Sequence, residues 1–120
     1  MTPTARSLAL LREMGYIAQV VERFCPHSKR RIDLYGCIDI LAAHPDFGIL
    51  GVQACTTGDA AKRTKKALEE PRLLTWLQAG GRFSVHGWAL RGKAGARKLW
   101  TLSERKIDLG TLEAHYEGKE

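Results

Sequence analysis

Apolar and polar residues alternate most regularly between positions 30 and 55. Successive side chains of a strand point to opposite faces. Over residues 30–41, Asp33, Tyr35, Cys37 and Asp39 are therefore expected on one face, with Ile32, Leu34, Ile38 and Ile40 on the other. Over residues 48–55, Gln53 and Cys55 share a face, opposite Leu50, Val52 and Ala54. His44-Pro45-Asp46-Phe47-Gly48 supplies the turn between the two runs.

Upstream, Thr4 is placed to cap a helix over 5–14, where Leu8, Leu11 and Met14 keep helical spacing and Gly15 stops it. Residues 16–24 read as a strand, closed by Cys25-Pro26-His27-Ser28. Downstream, 60–68 is rich in helix formers, and a second helix over 71–78 begins at Pro71 and stops at Ala79-Gly80-Gly81. Residues 82–90 and 99–107 read as paired strands joined by a glycine-rich basic tip over 91–98. A polar, acidic tail follows from Gly110. A helical segment between the third and fourth strands permits parallel pairing by a crossover connection. The expected architecture is α/β, one mixed β-sheet flanked by helices.

A chain of 120 residues suits one ordinary core, so the polar positions are read as parts of one site. No apolar run approaches the roughly 18 residues of a membrane span, and Met1-Thr2-Pro3-Thr4-Ala5-Arg6 lacks a signal-peptide core, so a cytoplasmic protein is expected. Three cysteines without a Cys-x-x-Cys pair are expected to be reduced and mostly buried. The net charge of +6 is uneven: residues 1–109 hold 18 Lys or Arg against 10 Asp or Glu. That balance favours a polyanionic partner, nucleic acid above all. The basic elements are Lys29-Arg30-Arg31, then Lys62, Arg63, Lys65 and Lys66, then Arg91, Lys93, Arg97 and Lys98.

A carboxylate amid apolar strand residues is costly to bury unless it is paired or binds a metal. Asp33 and Asp39, with the Gln53 carboxamide, outline a divalent-metal site.

Asp33-x-x-Gly36-x-x-Asp39 on the second strand and Gly51-Val52-Gln53-x-Cys55 on the third resemble the restriction-endonuclease-like superfamily with the PD-(D/E)xK motif. The likeness is greatest to small phage-type nucleases and Holliday junction resolvases, and covers about residues 5–109. It implies a nuclease domain over 1–109, Mg²⁺ (or Mn²⁺) as cofactor and hydrolysis of phosphodiester bonds in double-stranded or branched DNA. By position, Asp39 matches the motif aspartate, Gln53 stands where a second acid belongs, and Cys55 stands where lysine belongs. Gln53 still offers a carbonyl oxygen to a hard cation. Asp33 restores the lost charge if the strand bends near Gly36, and Lys62, one turn into the following helix, is the candidate to reach back for the lysine. Glu13 on the first helix and Glu22 on the first strand are alternative further ligands. Cutting both strands of a duplex needs two sites, so a homodimer fits this reading. A non-catalytic descendant of the fold that binds DNA or a protein is the competing one.

Overall fold

The computed structural model describes residues 1–118. Helix α1 (Pro3–Glu13) starts one residue before Thr4, because the Thr2 hydroxyl accepts from the Ala5 N–H at 3.1 Å and Pro3 suits the first turn. The strand expected over 16–24 is split into β1 (Ile17–Val20) and β2 (Arg23–Cys25). The run over 30–41 is split as well, into β3 (Arg30–Ile32) and β4 (Ile40–His44). There follow β5 (Gly48–Thr56), a single 3₁₀ turn (Thr57–Asp59), α2 (Ala60–Leu68), α3 (Pro71–Gln78), β6 (Arg82–Arg91), β7 (Leu99–Ile107) and α4 (Leu109–Glu117).

Five strands form a mixed sheet in the order β1-β4-β5-β6-β7. β5 and β6 are parallel and every other neighbouring pair is antiparallel, as a helical crossover after β5 requires. β2 and β3 form a separate two-stranded ribbon inserted between β1 and β4.

The alternation read along β5 holds because that strand is regular. Leu50 and Val52 join Leu11, Tyr16, Ile40 and Ala42 in the core beneath α1. Cys55, on the opposite face, joins Ala60, Ala67, Leu73, Leu77, Phe83, Val85 and Leu112 in the core beneath α2, α3 and α4. The segment from Gly110, read as a tail, forms most of α4. Asp108 caps that helix through the Thr111 N–H at 2.8 Å, and Leu112 is fully buried. Burial of one leucine contributes about 2 kcal/mol, one part of what holds this short helix against the sheet. Among the described residues no helix is long and apolar enough to cross a membrane.

Candidate metal centre

The two breaks in the strand pattern build the site. At the first, the Val21 and Glu22 N–H groups both donate to the Asp39 carbonyl, at 2.8 and 3.3 Å. Two residues opposing one is a bulge, which ends β1 and re-aims Glu22. At the second, Tyr35 and Gly36 take positive φ of 53° and 75°, and Leu34 pairs with Ile38 across the reversal. Asp33 is thereby folded back toward Asp39, whose own N–H donates to the Val52 carbonyl at 2.8 Å. The expected shared strand face of Asp33, Tyr35, Cys37 and Asp39 is therefore corrected. A turn, and not alternation, brings the two aspartates together; Tyr35 is exposed and Cys37 enters the core.

One carboxylate oxygen from each of Glu22, Asp33 and Asp39 lies within 4.8 Å of the others. Asp39 is 2% exposed. Its Oδ2 accepts from Gln53 Nε2 at 2.7 Å and from the Ala54 N–H at 3.0 Å. Its Oδ1 is buried and accepts no hydrogen bond from a donor among the described residues. A proton or a cation completes that oxygen. Burial first, then a hydrogen bond shared with Asp33, then the charges of Asp33 and Glu22 push the Asp39 carboxyl up from its ordinary 3.8 to about 8; the Ala54 amide opposes this. The protein thus retains a proton where three carboxylates would otherwise repel. Arg31 Nη1 donates to Glu22 Oε1 at 2.8 Å, but its side chain is 73% exposed, so it offsets little of that repulsion. Three converging carboxylates, one with a free buried oxygen, fit a hard divalent cation such as Mg²⁺ or Mn²⁺.

The other expected site residues are distributed unevenly. Gln53 is buried beside Asp39 and presents its amide nitrogen to it, so the donor end of the side chain is engaged. Cys55 is buried, and its thiol is pushed up by burial and pulled down by Arg63. Glu13 is exposed at the end of α1, outside the carboxylate group, so of the two alternatives the fold brings in Glu22. Lys62 is exposed on α2 and makes no ion pair among the described residues. One turn further on, Lys66 lines a cavity of about 340 Å³ with Ser28, Arg30, Arg31 and Asp33. The i, i+4 relation of Lys62 and Lys66 was visible in the sequence, but the position of the β2–β3 ribbon, which puts Lys66 in that cavity's lining, was not.

Lys29, Arg30 and Arg31 are exposed on the ribbon, Lys65 is exposed on α2, and Arg63 is half-buried there. Arg91, Lys93, Arg97 and Lys98 are exposed at the β6–β7 tip. Sequence reasoning missed a second polar cluster, under α1. His86 Nδ1 lies 2.9 Å from Ser7 Oγ, Trp88 Nε1 donates to the same oxygen at 2.9 Å, and His86 Nε2 lies 3.4 Å from Glu104. Ser7 and His86 are 79 positions apart, and no local pattern links them.

No protein-family model matches the chain, and no curated protein or solved structure is significantly similar to it. The class defined by the fold is an α/β protein with a mixed five-stranded sheet flanked by helices.

Proposed function

We propose that the protein is a metal-dependent nuclease with a restriction-endonuclease-like core, hydrolysing phosphodiester bonds in double-stranded or branched DNA. The observation that carries this reading is the buried Asp39 with its unpartnered Oδ1, set against the carboxylates of Asp33 and Glu22. Supporting it are the order of α1, an antiparallel β1-β4-β5 set, a helical crossover and the parallel β6, together with the excess of basic residues.

Glu22, Asp33 and Asp39 would hold the cation. When bound, a divalent cation supplies a Lewis acid for the phosphoryl oxygens and makes a water ligand more acidic. Gln53 and the Ala54 amide fix the Asp39 carboxyl by its other oxygen, which leaves Oδ1 free to face the cation. Asp39 gives up the proton that it holds in the empty centre, so cation uptake weakens as the pH falls. Half-buried Asp33 and Glu22 form the rim through which water and a phosphate approach. The basic ribbon, α2 and the β6–β7 tip contact phosphates and position DNA without reading its sequence.

The competing reading, a non-catalytic descendant that binds DNA or a partner protein, is favoured by one observation: Gln53 presents an amide to Asp39, and Cys55, at the motif's lysine position, is buried in the core, so neither position carries the acid or lysine that would assist hydrolysis. Incubation with plasmid and branched DNA in Mg²⁺ or Mn²⁺ separates the two. The nuclease reading expects cleavage by the wild type that Asp39→Ala abolishes. Cleavage that survives Asp39→Ala, or salt-sensitive binding with no cleavage, contradicts it.

A further inference from the structure

We propose that the cleft between the β2–β3 ribbon and α2 seats a phosphate of the DNA strand beside the carboxylate centre, and that it does so more tightly when the centre holds a divalent cation. The proposal rests on the reading of Glu22, Asp33 and Asp39 as a cation site. Arg30 comes from the ribbon wall and Lys66 from the α2 wall of the same 340 Å³ cavity, and Ser28 adds a hydroxyl. Neither Arg30 nor Lys66 has an ion pair among the described residues. Glu70, an acid within electrostatic reach of Lys66, is instead held by Arg72 through two contacts, at 2.7 and 3.1 Å. Arg31 is committed to Glu22. Two cations without an ion pair among the described residues therefore line one space, with Asp33 as the acid in its lining.

Asp33 lines the same cavity and also belongs to the carboxylate group. An incoming phosphate meets its charge at close range and is repelled by it. That repulsion cancels much of what one of the two flanking cations returns, so the empty centre weakens the phosphate's hold and an occupied centre strengthens it. The two ligands must then favour each other by the same factor, whichever binds first. The covalent layout couples them further. Glu22 immediately precedes β2 and Asp33 immediately follows β3, so two of the three carboxylates stand at the feet of the ribbon that forms one wall.

The test measures binding by fluorescence anisotropy of a labelled short duplex, using the full chain with and without Ca²⁺, a hard oxygen-seeking cation taken as a non-cleaving probe. Calorimetry gives Ca²⁺ affinity without DNA. In the wild type, Ca²⁺ is expected to tighten duplex binding about tenfold or more. Lys66→Met and Arg30→Met should each remove most of that gain, lower the salt slope by about 1, and leave Ca²⁺ affinity without DNA within about twofold. Lys66→Arg should restore much of the gain. Arg97→Met, at the β6–β7 tip and outside the cavity lining, should weaken binding by the same factor with and without Ca²⁺. Equal loss with and without Ca²⁺ in Lys66→Met and Arg30→Met, or no loss, overturns the cleft while leaving the metal centre standing if Ca²⁺ still binds through Asp39. No Ca²⁺ binding by the wild type overturns both.

Discussion

Two buried polar clusters lie in this sheet, and they are finished differently. Under α1, Ser7 accepts from Trp88 and shares a hydrogen bond with His86, and His86 turns its other nitrogen to Glu104. Every member has a partner within the protein, and the cluster ties the first helix to β6 and β7. The Asp39 cluster has the same depth and similar donors on one oxygen, yet it leaves the other oxygen bare and sets two further carboxylates against it. Closed polar networks contribute stability, whereas an open one with like charges costs stability and is retained for what it binds. The first is read as structural and the second as functional on that difference alone.

The largest expected effect is on chemistry. Asp39→Ala should lower Mg²⁺-dependent cleavage by about a thousandfold or more, measured on supercoiled plasmid, because the substitution removes the most deeply held of the three oxygen ligands. His86→Ala, by contrast, should leave residual cleavage by the folded fraction.

Stability should move in opposite directions at the two clusters. His86→Ala strands Ser7 and Trp88 and should cost about 2–4 kcal/mol in urea denaturation. Asp39→Asn keeps the acceptor for Gln53 and Ala54 but places an amide nitrogen where Oδ1 faces the acids. It should raise the stability of the metal-free protein near neutral pH, by about 1–3 kcal/mol. A loss of stability in Asp39→Asn would erase the distinction drawn between the clusters.

The pH dependence has a definite sign. The folded Asp39 carboxyl titrates near 8 and the unfolded one near 3.8. Between those values the folded protein holds a proton that the unfolded chain has released, so stability falls as the pH rises. Thermal melts without metal should therefore drop between about pH 4 and about pH 8, and Mn²⁺ should reverse the drop at the upper end. Glu104, held below the usual carboxylate range by its hydrogen bond to His86, acts oppositely and only under acid conditions. Asp39→Asn should flatten the neutral slope and leave the acid limb intact. The smallest effect is expected from Cys55→Ala, a buried thiol to a smaller side chain, at about 1 kcal/mol of stability with cleavage retained.

Legibility in the sequence followed regularity of the backbone. β5 is an unbroken strand, so a period of two placed Leu50 and Val52 on one face and Gln53 and Cys55 on the other. The helices α2 and α3 were fixed by Pro71 and by dense helix formers. The same period failed over residues 30–41 because Tyr35 and Gly36 adopt left-handed φ, and a single reversal cancels the alternation beyond it. Asp33 still reached Asp39, by the bend at Gly36 on which its role had been made conditional. The choice between Glu13 and Glu22 depended on a bulge defined by the Asp39 carbonyl, a hydrogen bond between distant strands that no local pattern encodes. Helix α4 was missed because one buried leucine, Leu112, carries much of its packing.

Completion of Asp39 Oδ1 by a cation is what separates a functional centre from a structural one. Calorimetric titration of the wild type with Mn²⁺ near pH 7.5, about where that carboxyl begins to release its proton, tests this directly. The predicted result is saturable binding with proton release that Asp39→Asn weakens by about a hundredfold or more. Absence of binding, or equal binding by Asp39→Asn, would contradict the account.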